Sequence, residues 1–178
     1  QAFSDAGMYI LRDSWAADAN VAFFRCGPFG LGGAGRCAHA HCDLLSLVMW
    51  INGEPLLVDS GTYTYHGPWR NYFRLTAAHN TVMVDGREQA EPKTFFGWKR
   101  IPEAQVAHWS GQSVIGTMTY TNQVVFTRKL TLNQRSSWDL TDGFAATDDN
   151  QHVLEWFFHF APGLDFQLEA HSMTIFKN

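Results

Sequence analysis

Histidine, aspartate and cysteine crowd into one short run, Cys37-Ala38-His39-Ala40-His41-Cys42-Asp43. In extended backbone, residues two apart project from the same face, so this spacing predicts that the His39 and His41 imidazoles meet at one place. Two further groups lie beside expected strands. Asp59 follows the apolar run Leu56-Leu57-Val58, and His79 precedes Asn80-Thr81-Val82-Met83-Val84. Two imidazoles and a carboxylate gathered by a sheet are a three-donor set for Zn²⁺ or a similar ion. The competing reading is plain: paired histidines on a strand can simply hydrogen-bond neighbouring carbonyls.

A second chemically loaded segment lies between Asp59 and His79. Tyr63, Tyr65, His66, Trp69, Arg70, Tyr72 and Arg74 mix flat rings with cations. Such a segment can form a sugar-stacking wall on which Arg70 or Arg74 pairs two-pronged with an acidic group; ordinary loop packing is the alternative. His108, His152 and His171 read as surface or packing residues, and His159, flanked by aromatics, as a core histidine. Two motifs mislead. Gly30-Leu31-Gly32-Gly33-Ala34-Gly35 matches a dinucleotide fingerprint in letters, but no helix follows to aim its N-terminus at a pyrophosphate. Gly33 with His39 and His41 resembles the first motif of cupin-type metal oxygenases, yet Leu45 and Ser46 stand where that motif wants Glu.

The elements that must position these groups are strands. Apolar or alternating runs cover 8–12, 21–25, 44–51, 56–58, 80–84, 105–109, 113–120, 124–132, 137–143, 153–160 and 166–171. Asn52-Gly53 and Asp85-Gly86 predict tight turns at positive φ. No long segment shows a capped 3.6-residue period. The expected fold is all-β, a large antiparallel two-sheet β-sandwich.

Composition bounds the rest. With 178 residues and 46% hydrophobic content, the chain is one globular domain with a real core. A formal charge of −4 argues against a nucleic-acid partner, while leaving room for a locally basic site. Cys26, Cys37 and Cys42 are too few for a disulfide framework and read as buried thiols. No run of about 18 apolar residues spans a membrane. The start at Gln1 and the strand-like Thr174-Ile175-Phe176 are read as those of a piece of something longer.

Five blocks in order carry a resemblance. They are Phe3-Ser4-Asp5-Ala6-Gly7-Met8-Tyr9, His39-Ala40-His41-Cys42-Asp43, Leu57-Val58-Asp59-Ser60-Gly61-Thr62-Tyr63-Thr64-Tyr65, Arg70-Asn71-Tyr72-Phe73-Arg74 and Ala78-His79-Asn80-Thr81-Val82. Together they resemble the heparinase II/III-like polysaccharide lyases over roughly residues 3–90, with Trp156-Phe157-Phe158-His159-Phe160 similar further on. The resemblance implies a supersandwich-like C-terminal domain, residues 1–178, of a larger enzyme whose N-terminal α/α toroid of helices is not in this chain. It implies His39 as the catalytic histidine and His41, Asp59 and His79 as ligands of a divalent metal, Zn²⁺ before Ca²⁺. Asp43 or Asn80 would orient a ligand ring. Tyr65, Arg70, Tyr72 and Arg74 are the expected substrate contacts. Cys37 and Cys42 depart from the small residues such a motif normally carries there.

The implied reaction is β-elimination on a uronic acid in an acidic polysaccharide. The C5 proton leaves, the 4-O-linked sugar is expelled, and the carboxylate must be neutralised meanwhile. Histidine suits proton transfer because its ordinary pKa is about 6.5, and such transfer contributes about 10²–10⁴-fold. A tyrosine and a carboxylate-neutralising group would come from the helical domain, so this domain alone is expected to be inactive. A periplasmic or secreted bacterial setting goes with the resemblance. Two alternatives stay open: a carbohydrate-binding sandwich with a structural metal and no chemistry, and the cupin-type oxygenase.

Overall fold

The computed structural model describes residues 1–30, 37–133 and 137–177. The glycine-rich run 31–36, with the Gly33 of the cupin-like motif and most of the fingerprint-like glycines, lies outside the described residues. Five strands form the first sheet as an antiparallel meander: β1 (Ala2–Phe3), β2 (Met8–Arg12), β3 (Val21–Arg25), β4 (Leu47–Ile51) and β5 (Glu54–Leu57). Alternation explains which face is buried. Tyr9 pairs with Phe24, Leu11 with Ala22, Ala22 with Met49 and Phe24 with Leu47, and all of these side chains are buried. Asn52 and Gly53 close the β4–β5 hairpin at φ 52° and 76°, as their types predict.

Beyond β5 the chain forms a short helix, α1 (Trp69–Arg74), then β6 (Val82–Val84), and a small hairpin of β7 (Glu91–Pro92) and β8 (Trp98–Lys99). A second meander follows: β9 (Ala104–Trp109), β10 (Ser113–Thr119), β11 (Val125–Leu132) and β12 (Trp138–Ala145). Next comes β13 (Leu154–Trp156), which pairs with β6, and a last hairpin of β14 (Leu164–Leu168) and β15 (Met173–Lys177).

The two meanders pack face to face, as the sandwich reading requires. Gly116 in β10 occupies an inward position without a side chain because β3 fills the space. An added Cβ would lie 2.8 Å from Cys26 Sγ and 3.0 Å from the Phe24 ring. Tyr9 and Trp109 bridge the sheets nearby, ring centroids 5.3 Å apart. All three cysteines are buried.

Several boundaries differ from expectation for local reasons. Residues 44–46 are not strand: Leu45 sits at φ 58°, and the Ser46 N–H donates to the Asp43 carbonyl in a turn. The run 153–160 holds its ladder to β6 only as far as Trp156. It then crosses to β5, where Val58 N–H donates to His159 O and Ala161 N–H to Leu56 O. Helix α1 was unforeseen because six residues are too few to show a period.

Candidate active site

Three chain segments converge at one edge of the first sheet. Asp59 follows β5, His79 precedes β6, and His41 precedes the turn into β4. A buried amide holds them together. Asn80 Nδ2 donates to Leu47 O (2.7 Å) and Val58 O (2.9 Å), while its Oδ1 accepts from His159 N–H. Ser60 Oγ donates to Ala78 O at 2.7 Å, joining the Asp59 and His79 segments directly. His159 is tied to Ala77 O through its own ring nitrogen, the structural role its sequence context suggests. The Asn80 side chain therefore spends its hydrogen bonds on backbone groups.

Within this frame the predicted ligands meet. The His79 ring is 1% exposed and donates from Nδ1 to Asp59 Oδ2 at 2.6 Å, and Asp59 Oδ1 accepts the Gly61 N–H at 2.8 Å. Ring centroids of His41 and His79 lie 5.2 Å apart. With its proton on Nδ1, His79 presents a lone pair at Nε2, and that buried atom has no hydrogen-bond partner among the described residues. Burial, reinforced by the nearby His79, pushes the His41 pKa down to about 4, so this ring stays neutral. Burial pushes the Asp59 carboxyl up, but the His79 hydrogen bond, with the charges and N–H around it, outweighs that and keeps it below its ordinary value. Burial raises Asp43 beside them.

Two imidazoles and a carboxylate, donors that bind a cation once deprotonated, fit a divalent cation in kind. Spacing is tighter than an ion would leave it. Ligand atoms on a tetrahedral Zn²⁺ sit about 2.0–2.2 Å from the metal and thus roughly 3.3 Å from one another, whereas Asp59 and His79 share a hydrogen bond. Among the described residues no three His, Cys, Asp or Glu side chains surround a common ion position as they stand. The unpaired Nε2 of His79 is the atom whose chemistry asks for a ligand.

His39 is placed differently from the expectation of a shared strand face. The chain at 37–46 is a succession of turns, with Ala40 N–H donating to Cys37 O. Even so, His39 and His41 line one open pocket of about 460 Å³ with Arg25, Asp43 and Thr62. His39 is exposed on its rim, the Tyr65 ring edge-on at 5.5 Å and Phe96 at 6.4 Å. Of the expected substrate contacts, Tyr65 and Tyr72 are exposed at 45% and 62%. Arg70 and Arg74 are buried, at 5% and 2%, and their guanidinium groups donate inward. Asp43 and Thr62 belong to the motif blocks singled out in the sequence, whereas Arg25, in β3, carried no motif to mark it as a pocket wall.

Fold and site together define an antiparallel β-sandwich domain with a histidine-lined pocket at its sheet edge, and comparison identifies the family. The model of the Heparinase II/III-like, C-terminal family matches residues 1–178, and the chain belongs to that family. It is 32% identical over 99 residues to a heparin-sulfate lyase of Bacteroides stercoris, covering 52% of this chain and 14% of that protein. Among solved structures, a heparinase III gene product superposes with a TM-score of 0.76 at 22% identity, over 98% of this chain and 26% of its own. A mutant of the heparan sulfate lyase HepC from Pedobacter heparinus gives 0.71 at 20% identity, over 94% and 25%. The chain thus spans about a quarter of the length of these structures, and family membership leaves the cupin-type reading without support.

Proposed function

We propose that this domain works within a polysaccharide lyase that cleaves uronic-acid-containing chains by β-elimination, His39 sharing the proton transfer. The observation that carries this reading is that His39 and His41 line one pocket while Asp59 and His79, from two other segments, meet beside His41. His39 stands exposed at the rim, where a sugar can reach it, with the Tyr65 ring edge-on beside it. Buried His79, with His41 and Asp59 beside it, stands behind this rim. Of the expected ligands, His41 and the free Nε2 of His79 would hold a divalent cation, Zn²⁺ before Ca²⁺, with Asp59 orienting the His79 ring from Nδ1, and the bound ion would pin these segments together. Tyr65 and Tyr72 offer faces on which a sugar ring can stack. Arg70 and Arg74 contribute positive charge behind that aromatic wall. The rest of a longer chain, a helical toroid, would bring the tyrosine and the carboxylate-neutralising group across the cleft.

In the full-length enzyme, His39→Ala is expected to lower kcat by at least about 10²-fold, read as loss of the ultraviolet-absorbing unsaturated product. Unchanged turnover would refute the assignment. A second reading is favoured by the exposed rings of Tyr63, Trp69 and Tyr72, at 74%, 55% and 62%: a carbohydrate-binding sandwich without chemistry. It requires that the full-length protein bind uronic-acid chains and release no unsaturated product.

A further inference from the structure

We infer that Arg70, Arg74 and Lys93 form a second, oxyanion-binding pocket beside the His39 pocket, suited to a sulfo group, free or carried on a sugar. Its placement next to a polysaccharide site rests on the function proposed above; the anion chemistry does not.

Arg70 and Arg74 lie one helical turn apart on α1, so both side chains leave the same face. Arg70 donates from Nε to Phe95 O (3.0 Å) and from Nη2 to Ala38 O (3.1 Å). Arg74 donates to Asn71 Oδ1 (2.9 Å), to the same Phe95 O (3.2 Å) and to Thr94 O (3.4 Å). Every one of these acceptors is neutral. Among the described residues no carboxylate pairs with either guanidinium. Two buried like charges that share one carbonyl are costly without a counter-charge, and arginine cannot relieve the cost by losing its proton.

A counter-charge has room to enter. An open cavity of about 280 Å³ is lined by Arg70, Asn71, Arg74 and Lys93 with the Gly67 and Thr94 segments, and no acidic side chain borders it. Lys93 is exposed and carries a movable ammonium. Nε and Nη2 of Arg70 and all three nitrogens of Arg74 already donate once each. Among the described residues Arg70 Nη1 and Lys93 Nζ are the nitrogens here without such a bond, and they stand as separate donors. Separate donors suit a three-oxygen tetrahedral group better than a planar carboxylate, which wants one free fork. Arg70 also links the two pockets, lining this one and donating to Ala38 in the wall of the other. It holds Ala38 beside His39, and it lies 5.3 Å from the Tyr65 ring and 4.9 Å from that of Phe96, the rings that flank His39. A sulfo group bound here would therefore belong to a sugar at or next to the reacting one.

The test leaves the structural arginines intact and varies Lys93. Inorganic sulfate titrated into this chain should give saturable NMR shifts clustered at the amides of 67–74 and 93–95. Lys93→Ala should weaken that binding about fivefold, and Lys93→Glu more strongly. Absence of saturable shifts, shifts clustered elsewhere, or equal affinity in Lys93→Glu would overturn the pocket. In the full-length enzyme Lys93→Glu should raise KM for sulfated chains at least about fivefold more than for unsulfated ones. Equal changes on both would overturn the assignment to a sugar-borne group. An enzyme that cleaves neither chain would count against the proposed function, while the sulfate titration would still decide this pocket.

Discussion

At the scale of single residues, the decisive atom is Nε2 of His79. A buried ring nitrogen with a lone pair and no donor facing it loses the hydrogen bond it would make in water. A metal ion removes that deficit, and the Asp59 contact at Nδ1 is the kind of carboxylate support that raises the basicity of a ligating imidazole. Zinc titrated calorimetrically into this chain should bind at one equivalent. His79→Ala should abolish the binding, and Asp59→Asn should weaken it about 10–100-fold. Tight zinc binding that survives His79→Ala would place any ion elsewhere. The grouping of His41, Asp59 and His79 was legible beforehand from the ordered motifs that carry the family resemblance and from the hairpin that Asn52-Gly53 announces. The inward turn of Arg70 and Arg74 was not. Residue type announces the charge, but the fate of a guanidinium depends on which carbonyls the β7–β8 hairpin brings over α1, and those two-residue strands leave no periodic trace.

At the scale of elements, β11 carries a departure from its own pattern. Phe126, Leu130 and Leu132 face the core, and by the same alternation Arg128 does too, fully buried. It pairs two-pronged with Asp142 of β12, both distances 2.8 Å, and donates from Nη1 to Leu45 O and Asn80 O. Arg128 thus ties the second sheet to the two turns that carry the pocket, and holds the Leu45 carbonyl where that residue has positive φ. Arg128→Met keeps the bulk but strands Asp142 and two carbonyls, so it should cost about 3–5 kcal/mol, measurable by urea unfolding. A loss below about 1 kcal/mol would mean that water replaces the clamp. The strand pattern of β11 could be read from its alternation; that its one inward cation is a clamp could not, because the partners stand 14, 48 and 83 residues away.

At the scale of the whole molecule, charge is deployed in local pairs rather than as one field, and one of them sets a pH limit to stability. His152 joins two stretches distant in sequence, with Nδ1 2.8 Å from Asp85 Oδ2 after β6 and Nε2 3.0 Å from Asp148 Oδ1 before β13. The Asp85 and Asp148 hydrogen bonds raise the His152 pKa above 6.5. Asp85 is held below 3.8 chiefly by His152 and the Val153 N–H, and Asp148 below 3.8 chiefly by Asn150 and then His152. The signs oppose. The histidine's contribution is complete below the unfolded value of 6.5 and fades as pH rises through its elevated folded value. The carboxylates' contribution is complete above 3.8 and fades as pH falls through their depressed ones. The clip therefore stabilises most between about pH 4 and 6.5. Melting temperatures across a pH series should show the advantage of the wild type over His152→Ala largest in that interval and shrinking above it. A difference that grows from pH 6 to 8 would show that His152 holds Asp85 and Asp148 in its neutral form.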